Sequence, residues 1–156
     1  RFARHDVPGY REEISLLIMA GFIGTAGAPL LQPIVAALGI DLATWPVWVV
    51  LPLFVWLVPL LGQLGMNPIL AVTLLAPLIP DAASLGVPPS AIVAAIAAGW
   101  ALSGATSPFT ATTLLIGALG GVSATHVGLR WNGAYFLVCA AILTVWVVAY
   151  GLLAGG

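Results

Sequence analysis

The 156-residue sequence is 62% hydrophobic and only 6% charged, with a mean hydropathy of +1.15. Soluble domains carry about a quarter charged residues, so this composition excludes an ordinary soluble domain and indicates an integral membrane protein. The formal net charge of −1 argues against nucleic acid as a partner. The lipid bilayer is therefore the first partner that the composition predicts.

The chain begins with a polar lead-in, residues 1–13, which holds three of the four arginines. This excess of Arg indicates the cytoplasmic side of a membrane. We predict that residues 14–156 form the membrane domain, beginning with a span at 14–40. That stretch exceeds the length of about 20 residues that a membrane helix needs. Its glycines favour close helix packing. Pro29 and Pro33 predict either a kink or an end near Leu31 followed by a short second piece.

The second apolar region, 46–79, is interrupted at Gln63–Pro68, a stretch that contains Gly65, Asn67 and Pro68. The apolar run after this interruption, Ile69–Ile79, has 11 residues. As a helix it covers about 16 Å, roughly half of the hydrocarbon core. We therefore predict that 46–79 is a re-entrant helical hairpin with its tip at Gln63–Pro68.

The third apolar region, 91–119, has a polar centre rich in Ser and Thr, where Gly104 and Pro108 interrupt the helical pattern. A backbone break in hydrocarbon persists only where protein, water or ligand satisfies the freed N–H and C=O groups. We predict one crossing made of two half helices, followed by a last span at 134–153. The predicted fold is an all-α polytopic membrane protein with a re-entrant hairpin and a discontinuous transmembrane helix.

The isolated charges fit one orientation of these elements. With the N-terminus in the cytoplasm, Asp41 and Asp81 lie outside, and Arg130 lies inside with the other three arginines.

Both interruptions carry helix-start signals, because Asn67 precedes Pro68 and Ser107 precedes Pro108. Each helix start exposes free N–H groups and the positive end of a helix dipole. Two such starts that face each other form an anion site without a basic side chain. The carbonyls that end the preceding half helices are candidates to hold Na⁺, which is the logic of secondary transporters.

The residues that we predict to line this site carry amide or hydroxyl groups: Asn67, Thr73, Ser103, Thr106, Ser107 and Thr110. Ordinary kinked helices contain the same Asn-Pro and Ser-Pro pairs, with Ser and Thr bonded to the preceding turn. Gln63 is equally suited to contact solute and to cap the hairpin tip. The sequence has no His/Cys cluster, no paired carboxylates and no phosphate loop with a Lys. We therefore predict no enzyme activity, no metal site and no cofactor other than a coupling Na⁺.

Three stretches resemble one repeat of the ion transporter superfamily. Gly65–Leu78 looks like that family's hairpin tip and returning helix, Ser103–Leu114 looks like its broken helix, and Gly121–Arg130 resembles the loop before its last helix. The family includes divalent anion/sodium symporters, arsenite permeases and the large membrane subunit of tripartite ATP-independent periplasmic (TRAP) transporters. Met66-Asn67-Pro68 stands where the symporters have a Ser-Asn-Thr signature.

The resemblance implies the C-terminal repeat of an inverted-repeat transporter in a bacterial inner membrane. The implied function is secondary transport of a small anion, a carboxylate by its chemistry, with Na⁺ or H⁺ coupling. The resemblance also implies an N-terminal half or a partner chain, and a homodimer or larger membrane complex. Two alternatives stay open: the membrane subunit of a TRAP-type transporter that needs a binding protein, and a non-transporting structural subunit of a larger complex.

Overall fold

The computed structural model describes residues 11–155, without the side chains at 11–14, 16, 17 and 28, so most of the predicted lead-in lies outside the described residues. The described chain is all-helical. Its α-helices are α1 Arg11–Ala37, α2 Val47–Gln63, α3 Pro68–Leu75, α4 Ala82–Leu85, α5 Pro89–Thr106, α6 Ala111–Gly120 and α7 Gly133–Ala154. Short 3-10 turns lie at Leu42–Thr44 and Ala76–Leu78, and a π-helical turn lies at His126–Trp131.

Among the described residues, two helical stretches are long and apolar enough to cross a membrane: Pro89–Gly120, which comprises α5 and α6, and α7. The first helix, α1, bends by 42° between Ile18–Gly27 and Pro29–Ala37 and is a third candidate if both parts form one span. Proline causes such bends because it lacks an N–H and its ring clashes with the preceding turn. The composition argument for a membrane protein is compatible with these helices.

The core of the described chain is built from α2, α5 and α7. Along α2 and α5, Phe54 and Gly62 lie against Gly99 and Ser103 respectively, so these two helices run in the same direction. The third helix, α7, runs the opposite way, since Gly151 near its C-terminal end lies against the first turns of α2 and α5.

Close helix contact in this core depends on the absence of a side chain at Gly99. A Cβ added there would lie 2.6 Å from the Phe54 carbonyl oxygen, closer than van der Waals contact allows. The α2–α7 contact instead uses a polar pair, in which Trp56 Nε1 donates to Thr144 Oγ1 at 3.0 Å. Small residues that let backbones approach, together with a few interhelical hydrogen bonds, are typical of membrane helix bundles.

Because α2 and α5 are parallel, the chain between them must return to its starting end. Helix α3 and the turn Ala76–Leu78 make this return, and Ile79 then packs against the core beside Phe54 and Ile96. Helix α4 completes the connection and contacts the Leu42–Thr44 turn. The Asp41 and Asp81 segments therefore lie at the end where α2 and α5 begin, and the Arg130 turn lies against the opposite end of α5.

The two parts of the broken helix are unequal, which differs from the half helices expected from the sequence. Helix α5 has 18 residues and is about 27 Å long, whereas α6 has 10 residues and is about 15 Å long. The break begins at Ser107, after a helix that continues through Gly104. Proline disfavours helical backbone at the residue before it, so the helix ends where Pro108 requires it to end.

Candidate functional site at the helix break

Ser107 occupies the break in an extended conformation, with φ −68° and ψ 128°. Its side chain is 1% exposed. The hydroxyl donates to the Gly62 carbonyl at 2.7 Å and accepts from the Phe109 N–H at 3.3 Å. One serine therefore joins the end of α2 to the interruption of the broken helix.

The expectation that Ser107 caps a helix beginning at Pro108 is wrong. Helix α6 begins at Ala111, and the residue before it is Thr110, which makes no side-chain cap hydrogen bond. The backbone forms one turn between Ser107 and Thr110, which the Thr110 N–H closes by bonding to the Ser107 carbonyl at 3.3 Å. The physical reason is that Pro108 and Phe109 form a turn before helical geometry resumes.

A hydroxyl network fills the concave side of this turn. Thr110 Oγ1 lies 3.0 Å from both the Gly104 and the Ser107 carbonyl oxygens, and 3.1 Å from Thr113 Oγ1. Thr113, which is fully buried, donates to the Ser107 carbonyl at 2.6 Å. Each threonine has one hydroxyl proton, so Thr113 bonds to Ser107 while Thr110 remains available for Gly104.

The contact with α2 needs a glycine at position 62. A Cβ added to Gly62 would overlap Ser103 Oγ and lie 3.3 Å from Ser107 Cβ. Ser103 is fully buried, and its Oγ is the buried side-chain polar atom without a hydrogen-bond partner among the described residues. An unpaired buried hydroxyl costs about 1–3 kcal/mol, which makes Ser103 an unusual choice for pure packing.

The start of α3 agrees with the helix-start signal read from the sequence. Asn67 is extended, with φ −62° and ψ 138°, and its Oδ1 accepts from the Ile69 N–H at 2.8 Å. Pro68 is the first helical residue, so the predicted Asn67 cap is confirmed. The preceding turn passes through Gly65 at φ +90°, where a Cβ would be 3.7 Å from the Phe109 ring. The turn before α3 therefore lies beside the break.

The six residues predicted to line the site are only partly brought together. Ser103, Ser107 and Thr110 lie at the break, and Thr106 beside them is 2% exposed and donates to the Leu102 carbonyl at 2.8 Å. Asn67 is exposed at the start of α3. Thr73 lies elsewhere, against Gly24 of α1, with its hydroxyl 3.0 Å from the Leu70 carbonyl and 3.3 Å from that of Ala20.

One of the two groups of backbone carbonyls proposed to hold Na⁺, at the end of α5, already has donors from this chain. The carbonyls of Leu102, Ser103 and Gly104 accept from Thr106 Oγ1, the Ser107 N–H and Thr110 Oγ1 respectively. The described residues contain no group of three His, Cys, Asp or Glu side chains able to hold a metal ion. These three carbonyl oxygens therefore each have a donor within the chain, whereas the buried Ser103 Oγ has none among the described residues.

Sequence reasoning missed Asn132, whose Nδ2 donates to the Ala105 carbonyl at 2.9 Å across 27 positions in sequence. The only signal for it was an amide residue in an otherwise weakly polar loop. A cleft of about 790 Å³ lies between α1 and α2 near Asp41, lined mostly by apolar side chains such as Leu53 and Leu75. That cleft has none of the break residues in its lining.

The site therefore consists of the α2 end, the break after α5 and the start of α3, with hydroxyls and helix N-termini as its chemistry. A scan against protein-family models, a search of curated proteins and a search of solved structures each found no match for this chain.

Proposed function

We propose that this chain is the C-terminal half of a secondary active transporter that moves a small carboxylate anion across a membrane, coupled to Na⁺ or H⁺. The observation that carries the proposal is the 2.7 Å hydrogen bond from Ser107 Oγ to the Gly62 carbonyl. It joins the break after α5 to the end of α2. Each of these two helix ends is followed by the start of a new helix, α6 and α3 respectively.

The parallel course of α2 and α5 supports a re-entrant hairpin in this proposal. The segment Val47–Leu78 leaves and returns to one end of the bundle, and its returning helical part spans only Pro68–Leu78. A helix of this length covers about half of the hydrocarbon core. We infer that the turn Leu64–Asn67 is the hairpin tip, and its Gly65 lies beside Phe109 of the break.

The helix starts supply the attraction for an anion. Helix N-termini expose N–H groups and carry about half a positive charge. Thr110 leaves the first N–H groups of α6 without a side-chain cap, and the Thr112 side chain beside them is exposed. Hydroxyls and free N–H groups suit carboxylate oxygen atoms. The coupling ion and the second repeat rest on the family resemblance.

A second candidate is a non-transporting structural subunit of a larger membrane complex, and one observation favours it. Thr106, Ser107, Thr110 and Thr113 all bond to backbone carbonyls of this chain. Such bonds are what an ordinary kinked membrane helix makes when Ser and Thr satisfy freed backbone groups.

Uptake of radiolabelled succinate into membrane vesicles that contain this chain together with its N-terminal half or partner chain, driven by a Na⁺ or H⁺ gradient, separates the two candidates. We expect gradient-dependent uptake that Asn67→Ala and Ser107→Ala both abolish at unchanged protein level. Thr25→Ala is the matched control, because the Thr25 hydroxyl bonds only to carbonyls of its own helix. Uptake that neither variant changes would remove these residues from the site, and no uptake under either gradient would favour the structural subunit.

A further inference from the structure

Helix α5 ends with four carbonyl groups whose hydrogen-bond donors must be identified. The last four C=O groups of a helix, here those of Ser103–Thr106, have no donor within a helix that stops at that point. Buried carbonyls in proteins are nearly always paired. Three of these four lose the donor that a continuous helix supplies, because Pro108 has no N–H and the next two N–H groups bond to Ser107 instead.

Replacement donors come from two places. The Ser103 carbonyl keeps its helical donor, the Ser107 N–H at 2.9 Å, and the Gly104 carbonyl takes Thr110 Oγ1 in place of the missing proline N–H. The Ala105 carbonyl takes Asn132 Nδ2. Of these donors, Asn132 Nδ2 is the one that lies in a segment outside the break.

The π-helical turn brings Asn132 to that carbonyl. The turn closes with the Asn132 N–H bonded to the Val127 carbonyl, five residues back, at 3.2 Å. Its buried Gly128 lies directly on the Thr106 carbonyl, and a Cβ at position 128 would overlap that oxygen. The last two carbonyls of α5 are therefore covered by one turn from the segment that leads into α7.

We propose that Asn132 is a positioning residue for the helix break. By donating to Ala105 it fixes the direction of the last turn of α5, and hence the places of Ser107 and Thr110. The structural part of this proposal depends only on the hydrogen bonds. The effect on transport rests on the proposed function. The turn then acts as a clamp between the broken helix and the start of α7.

Amide hydrogen exchange of the full chain in lipid nanodiscs tests the proposal through peptides that cover residues 107–114. Asn132→Asp keeps the size of the side chain and removes its donor, so we expect exchange at 107–114 to rise roughly tenfold, the effect of losing one hydrogen bond to a structured segment. Asn132→Gln retains an amide donor and should restore part of the protection.

The matched control is Thr144→Val, which removes the side-chain hydrogen bond between α2 and α7. We expect this variant to leave 107–114 unchanged. Equal exchange at 107–114 in the parent and in Asn132→Asp would overturn the proposal. An equal rise at 107–114 in Asn132→Asp and Thr144→Val would also overturn it, as would a rise in Asn132→Asp that extends to residues 138–150. Succinate uptake gives the separate functional readout, in which Asn132→Asp raises the apparent KM. Absence of uptake in the parent would defeat the proposed function and leave the exchange result standing.

Discussion

Ser103 and Ser107 offer a paired test, because they lie in the same contact and should respond to alanine with opposite signs. Ser107→Ala removes the donor to the Gly62 carbonyl and the acceptor of the Phe109 N–H. Loss of a partner for buried backbone groups costs about 1–3 kcal/mol. Ser103→Ala instead removes a hydroxyl that has no partner among the described residues.

For Ser103→Ala the gain must be set against the small space left behind. Relief of an unpaired buried hydroxyl is worth about 1–3 kcal/mol, whereas a cavity of the size of one oxygen, on the order of 10 Å³, costs about 0.2 kcal/mol. The net effect is stabilisation of about 1 kcal/mol or more. For a chain of this size, each kcal/mol moves Tm by about 2–4 °C.

The assay is thermal unfolding in a mild detergent, followed by the intrinsic fluorescence of the tryptophans. We expect Ser103→Ala to raise Tm and Ser107→Ala to lower it. A lower Tm for Ser103→Ala would refute the reasoning, because it would mean that the Ser103 hydroxyl has a partner in the folded protein.

Three further substitutions test the helix contacts. Gly62→Ala should destabilise the protein because its Cβ overlaps Ser103 Oγ, and adding Ser103→Ala should then raise Tm by more than Ser103→Ala does alone; equal gains in the two backgrounds would contradict that contact. Gly99→Ala should lower Tm more strongly, since its Cβ meets the Phe54 backbone, which yields less readily than a side chain, and an unchanged Tm would mean that α2 and α5 are further apart. Trp56→Phe should cost about 1 kcal/mol in denaturant unfolding by losing the bond to Thr144, with no change in a Thr144→Val background.

Local signals in the sequence predicted local structure well where one strong preference acted alone. Asn67 before Pro68 gave a helix start with the expected side-chain cap. Ser107 before Pro108 carried the same signal and failed, because Ser107 was already held in the end of α5 and its hydroxyl bonded across to α2. The contact between Ser107 and α2 therefore determined whether the Ser-Pro pair starts a helix, and the local sequence does not reveal this contact.

The sequence could not predict contacts that join distant segments. The hydroxyl of Thr73 makes it a predicted site residue, yet its face of α3 packs on Gly24 of α1. The hydrogen bond from Asn132 to Ala105 spans 27 positions, and no periodic pattern in the sequence predicts it. Helix α5 is also longer than the sequence predicts. Gly104 lies inside this hydrophobic helix, which tolerates it, and only Pro108 ends the helix.

The central claim is that the hairpin turn and the helix break together bind a carboxylate. Equilibrium binding of radiolabelled succinate to the chain purified together with its N-terminal half or partner chain, measured by scintillation proximity, tests this claim most directly. We expect saturable binding that unlabelled succinate displaces, that Ser107→Ala and Asn67→Ala each remove, and that Thr25→Ala retains. Binding of equal strength in all four proteins, or none in the parent chain, would contradict the claim.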